Sequence, residues 1–134
     1  MRILFVAPRF PYPLRRGHQV RAYHQIRLLS ARNRIVLFAV SRGEPSAGSV
    51  AALEPFCEEI VTAPLSPAGA AAHALGGVLS GRPVQAAAYA GARLRRRLRE
   101  TILRTHPDVL HVQLARMAPI AESGAGLPRV MDLV

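Results

Sequence analysis

Arg2-Ile3-Leu4-Phe5-Val6-Ala7, stopped by Pro8 and followed by Pro11, Pro13 and Gly17, is the stretch that decides the fold of this chain. A short apolar run without alternation, ended by proline, predicts a strand buried on both faces. Three prolines and a glycine over residues 8–17 predict a loop. Residues 18–32 then predict a helix. Ala22, Ile26 and Leu29 recur at helical spacing, with Val20 and Tyr23 beside them, while Arg21, Gln25 and Arg32 take other faces.

The same strand–loop–helix pattern repeats along the chain. Further strands are predicted over residues 34–40, 59–63, 108–112 and 129–134. A short helix is predicted over residues 49–53, capped by Ser49 and ended by Pro55. Residues 67–80 predict a helix weakened by Gly69, Gly76 and Gly77, each costing about 1 kcal/mol relative to alanine. Residues 92–104 predict a helix with Leu94, Leu98 and Ile102 on one face, followed by Pro107. A last helix is predicted over residues 116–123, with Pro119 tolerable only in its first turn.

Strands alternating with helices build a parallel sheet covered on both faces, because each crossover is right-handed and must lie on a face. The expected class is therefore α/β, Rossmann-like, with strand order 3-2-1-4-5. In that order the chain leaves the first and fourth strands in opposite directions. A crevice is expected beyond their carboxyl ends, lined by residues 8–17 and 113–118, where ligands bind in such folds.

A chain of 134 residues, half of them hydrophobic, makes one globular domain. Its formal charge is +10, and all 18 basic residues are arginine. An arginine- and alanine-rich composition reflects a GC-rich coding bias, which discounts part of the charge. A cationic surface still attracts nucleic acid, anionic lipid or phosphorylated substrates. Cys57 is the single cysteine, and no spaced Cys/His cluster suggests zinc, so neither a disulfide nor a metal is expected. Five apolar residues after Arg2 are too few for a secretory signal, and a cytoplasmic setting is expected. Residues 60–81 carry no formal charge but contain prolines and glycines, and they are read as part of a soluble domain.

No Gly-x-Gly-x-x-Gly follows the first strand, and there is no Walker sequence, His-Glu-x-x-His or Gly-x-Ser-x-Gly. Dehydrogenase, P-loop ATPase, zinc protease and serine hydrolase chemistry are set aside, and no cofactor is expected. What remains is Leu14-Arg15-Arg16-Gly17-His18, which enters a helix. Helix starts leave N–H groups unpaired and favour anions, and Arg15 and Arg16 could add charge-assisted hydrogen bonds. The alternative is a turn glycine between solvated arginines. Gln113 and Arg116 lie just past the fourth strand, as ligand contacts or plain surface. His111 reads as a core histidine bonded to backbone. The densest charge is Arg93-Leu94-Arg95-Arg96-Arg97-Leu98-Arg99. It is either a solvated helix face or a membrane surface, where each basic residue contributes about 1 kcal/mol near anionic lipid. Few aromatics argue against nucleic acid as a partner.

The order of these features resembles family 4-like glycosyltransferases, and more narrowly the bacterial sugar transferases of PEP-CTERM/exosortase systems. The residues that carry the resemblance are Phe10-Pro11-x-Pro13, Gly17, Arg21, Tyr23 and the strand at Arg34. Ser80-Gly81-Arg82-Pro83, Tyr89, Asp108-Val109-Leu110-His111 and Arg116-Met117-Ala118-Pro119 extend it along the chain. The resemblance implies the amino-terminal, acceptor-side half of a GT-B fold. It implies metal-independent sugar transfer with retention, from a nucleotide-sugar donor to a glycan or lipid-linked acceptor, in exopolysaccharide or cell-surface glycan synthesis. A peripheral position on the inner face of the plasma membrane goes with it. Arg15, Arg16, Gly17, His18, Arg21, Gln113 and Arg116 would then face donor or acceptor, with no catalytic residue assigned. Many relatives carry a histidine where this chain has Gln113, and an amide can hold a sugar hydroxyl but cannot carry a proton. The donor-binding half and its glutamate pair are not among these residues, so this chain alone is expected to be inactive. Two alternatives compete: a non-catalytic basic module for anionic membrane or nucleic acid, and a receiver- or flavodoxin-like domain. The latter lacks an acidic pair after the first strand and a flavin phosphate loop.

Overall fold

A computed structural model describes residues 1–81 and 89–133. Arg82 and Pro83 of the Ser80–Pro83 motif, and Val134 at the expected end of the fifth strand, lie outside the described residues.

The chain runs β1 (Arg2–Ala7), α1 (Gly17–Ser30), β2 (Arg34–Ser41), α2 (Ala47–Ala51), β3 (Glu59–Pro64), α3 (Pro67–Leu79), α4 (Ala92–Thr105), β4 (Val109–Gln113), α5 (Ala118–Ala121) and β5 (Arg129–Asp132). All strand pairs are parallel and the order is β3-β2-β1-β4-β5. This is the expected α/β topology.

The unalternating run in β1 has a direct physical cause. Leu4 and Val6 point to one face, where they join Val36, Phe38, Leu110 and Val112 beneath Leu94 and Leu98 of α4 and Ile120 of α5. Ile3, Phe5 and Ala7 point to the other, with Ile35, Leu37 and Ala39 beneath Ala22 and Ile26 of α1 and Leu53. Helices on both faces leave no solvent side for a polar residue. Fully burying a side chain such as Leu98 or Ile26 stabilises the fold by about 1.5–3 kcal/mol.

Several boundaries differ from expectation. Ser46, not Ser49, caps α2: its backbone is extended and its hydroxyl accepts from the Ser49 N–H at 3.2 Å. Ser49 sits inside the first turn, buried, its Oγ 2.9 Å from that of Ser46. The segment expected as one helix over residues 116–123 is instead a 3₁₀ turn (Ala115–Met117), α5, and a second 3₁₀ turn (Glu122–Gly124). Gly124, which ends the second turn, packs closely on β4: a Cβ there would stand 2.9 Å from Leu110 Cδ2. The fourth strand starts and ends one residue later than expected. Asp108 turns back on β1 instead, its carboxylate accepting from the Arg2 N–H at 2.6 Å. Finally, α3 forms despite its glycines because Ser66 caps it, accepting from the Gly69 N–H at 3.2 Å.

The uncharged stretch of residues 60–81 thus divides between β3 and α3. Among the described residues, no helix is long and apolar enough to cross a membrane.

Candidate functional site

The loop over residues 8–16 leaves the carboxyl end of β1 and is pinned from below. Gln19, buried in the first turn of α1, donates through Nε2 to the Phe10 carbonyl at 2.9 Å. Gln113 donates through Nε2 to the His18 carbonyl at 2.8 Å, tying β4 to the same turn. Gln113 is therefore not beyond the fourth strand, as its sequence position suggested. It is the last residue of β4 and fully buried, with Oε1 unpartnered.

Leu114 follows with φ 70°, a left-handed conformation that costs a non-glycine residue about 1–3 kcal/mol. That turn carries the chain into the 3₁₀ turn that holds Arg116 at the rim. The Arg116 guanidinium stands 6.0 Å from the centroid of the Tyr89 ring, a cation–π contact, and its buried Nε has no hydrogen-bond partner. The Tyr89 hydroxyl lies 3.5 Å from the Pro8 carbonyl, which joins this turn to the β1 loop.

Both expected loops stand on the carboxyl rim, and on the β4 side the Gln113 amide meets the first turn of α1. A cavity of about 200 Å³ opens between the ends of β1 and β2, lined by Arg9, Phe10, Gln19, Ser41, Arg42 and Tyr89 among others. Ser41 also borders two broader hollows along the rim. One of about 500 Å³ reaches α3 and Arg93, and one of about 570 Å³ reaches Arg15, Glu44 and α2.

The rim is strongly cationic around Arg9. Burial, reinforced by the charges of Arg16, Arg42 and Arg116, pushes the Arg9 guanidinium below the usual arginine range, and only Tyr89 opposes this. Burial, then Arg116, Arg9 and Arg16, hold His18 below the ordinary histidine value. The ion pairs among the described residues take Arg2, Arg21, Arg34, Arg96 and Arg104, none of them from this cluster. Helix α1 opens at Arg16 with no side-chain cap and no acid in its first turn. Its leading N–H groups add to the positive potential.

The sequence-derived candidates divide accordingly. Arg16 and Arg116 belong to the cluster around Arg9, and His18 sits beside it. Gly17 opens α1 at the surface, and a Cβ there would meet nothing within 4 Å. Arg15 lies in the hollow shared with Glu44. Arg21 is held on the β5 side by Asp132 at 2.8 Å, which also accepts from Gln25 Nε2 at 3.0 Å. On α4, Arg96 pairs with Glu100 at 2.9 Å and Arg97 donates to the Thr62 carbonyl at 3.1 Å. Arg93 borders the larger hollow, Arg95 is half-buried and Arg99 is exposed. His111 is half-buried and stacked on Phe5, ring centroids 4.6 Å apart. Its Nε2 has no partner, so the expected backbone bond is not made there; burial lowers its pKa while Asp132 opposes.

Sequence reasoning missed Arg9 and Arg42. A signal was present: each stands just past one of two strands that the predicted order makes neighbours, with Ala7 in register with Ala39. Among the described residues, no group of three or more His, Cys, Asp or Glu could hold a metal. Cys57 is a free thiol whose pKa burial pushes up to about 12, which disfavours the thiolate.

No protein-family model matches the chain, and no curated protein matches it. Among solved structures, the chain is similar to the crystal structure of TcCGT1 in complex with UDP. The two are 18% identical with a TM-score of 0.49, over 98% of this chain and 28% of that one. The chain thus spans little more than a quarter of that protein's length.

Proposed function

We propose that the chain is the amino-terminal, acceptor-side domain of a GT-B glycosyltransferase of the family 4-like kind. In this reading, a donor-binding domain supplies the opposite wall of a cleft above the carboxyl rim. The enzyme transfers a sugar from a nucleotide-sugar donor to a glycan or lipid-linked acceptor, with retained configuration and without a metal, in bacterial exopolysaccharide or cell-surface glycan synthesis. The observation that carries the reading is the cluster of Arg9, Arg16, Arg42 and Arg116 beside the uncapped start of α1. Sugar transfer from a nucleotide sugar expels a diphosphate, and fixed N–H groups and guanidiniums stabilise that developing charge without a metal ion. The sequence motifs around Gly17 and Arg116 point the same way.

The test is transfer of a labelled sugar from UDP- or GDP-linked donors, by this chain alone and by the chain joined to its donor-binding domain. The joined protein is expected to turn over and the chain alone is not. In the joined protein, Gly17→Trp is expected to abolish transfer while leaving the fold intact, because the space around Gly17 is open. Normal turnover by that variant removes Gly17 from the site, and turnover by the chain alone contradicts the half-domain reading.

A further inference from the structure

We infer that the cavity between the ends of β1 and β2 is a phosphate-binding subsite built by Arg9 and Arg42, with Arg116 behind Tyr89. The acceptor it takes bears a phosphate or diphosphate ester. This names the substrate class of the rim described above, and its biological meaning rests on the acceptor-side reading.

Two features converge on that cavity. The first is placement: Arg9 and Arg42 stand just past the ends of two hydrogen-bonded strands and line one cavity of about 200 Å³. A water occupies about 30 Å³ of liquid, so this space admits a phosphate group and the atoms it esterifies. The second is the absence of an ion pair. Arg16, Arg42 and Arg116 act on Arg9 with only the Tyr89 phenol opposing them, and the ion pairs among the described residues leave Arg9, Arg16, Arg42 and Arg116 out. Like charges held together are repulsive until an anion enters, so the ligand that relieves the site is itself multiply charged.

The chemistry favours phosphate over carboxylate. Guanidiniums approaching from separate strands match a tetrahedral group with several acceptor oxygens, and each can engage it through two parallel N–H bonds. Nucleic acid is the weaker candidate, because the arginines converge in a hollow rather than along a face.

The phosphate ester could be lipid-borne or soluble, and two arms separate these. In the first, binding of inorganic diphosphate to the whole chain is measured by calorimetry and by thermal shift. Wild type is expected to bind and to gain thermal stability, since a ligand of the native state alone stabilises it. Arg9→Ala and Arg42→Ala are each expected to weaken binding by about tenfold or more, the loss of a charge-assisted hydrogen-bonding group. Arg27→Ala removes the same charge from the far end of α1 and is expected to change binding less than about twofold by long-range charge alone. Arg9→Lys keeps the charge without the fork and should fall between, which guards against a misfolded alanine variant.

In the second arm, the chain is floated with phosphatidylcholine vesicles with and without phosphatidic acid. Flotation that needs phosphatidic acid, is competed by inorganic diphosphate and is lost in Arg42→Ala assigns the ester to a lipid. No flotation, with Arg9-dependent diphosphate binding, assigns it to a soluble acceptor. Failure of wild type to bind diphosphate, or equal weakening by Arg27→Ala, overturns the subsite. Arg9-dependent binding in a joined protein that transfers no sugar leaves the subsite standing and removes the transferase reading. Sugar transfer without diphosphate binding by the chain does the reverse.

Discussion

Two arginine-rich regions of this chain have opposite fates. Helix α4 holds the densest run, yet it is anchored by Leu94 and Leu98, and half of its six arginines are engaged: Arg96 with Glu100, Arg97 with a β3 carbonyl, Arg104 with Glu59. The carboxyl rim gathers Arg9, Arg16, Arg42 and Arg116 from scattered positions, with Arg9 and Arg42 lining a cavity and none of the four in an ion pair among the described residues. Charge density along a chain therefore says little about a site. Position at the ends of adjacent strands says more, because the topology collects those ends in one place.

The comparison is sharpened by changes on each side, from the largest expected effect downward. If α4 is chiefly a packing element, Leu98→Ala should lower unfolding free energy by about 2–5 kcal/mol in urea denaturation. A loss below about 1 kcal/mol would show that α4 is not anchored on the sheet as described. On the rim, Gln113→Ala removes the bond that ties β4 to α1, with an expected cost of about 0.5–1.5 kcal/mol by the same assay.

Next in size is a pH dependence. His18 and His111 have depressed pKa values in the folded chain, by burial first, with the neighbouring arginines adding to the effect at His18. The unfolded chain then binds more protons as pH falls through the ordinary histidine value of about 6.5. The stability they contribute is fully present above that value and is lost as pH drops toward their folded values. Thermal melts between pH 7.5 and 5.5 should show this decline, and His18→Asn should make it shallower. The smallest effect is expected on the exposed face of α4, where Arg96→Ala breaks only a solvated i,i+4 pair and should change stability by less than about 0.5 kcal/mol.

The sheet was legible because its signal is local. The unbroken apolar runs at Arg2–Ala7 and Arg34–Ser41 need only a strand buried on both sides, and crossover handedness does the rest. The segment after β4 was not legible, because its course is set by contact rather than by propensity. Gly124 must approach Leu110 closely, and the positive φ of Leu114 has no glycine to announce it. At the site, the Arg16–His18 entry to α1 was readable from helix-end chemistry. Its partners Arg9 and Arg42 lie 33 positions apart in the sequence and meet only through the β1–β2 register. The position of Gln113 just past the expected fourth strand suggested a ligand contact or plain surface, whereas it is buried and bonded to the His18 carbonyl.

The claim that the rim, not the arginine helix, is where anions bind is tested most directly by NMR. Backbone amide and arginine Nε–H signals would be followed during titration with inorganic diphosphate at constant ionic strength. Arg9, Arg42 and Arg116, with the amides of Gly17 and His18, should shift most and saturate together, while Arg95, Arg96 and Arg99 stay still. Shifts that are largest on α4, or that spread evenly over every arginine, would contradict the account.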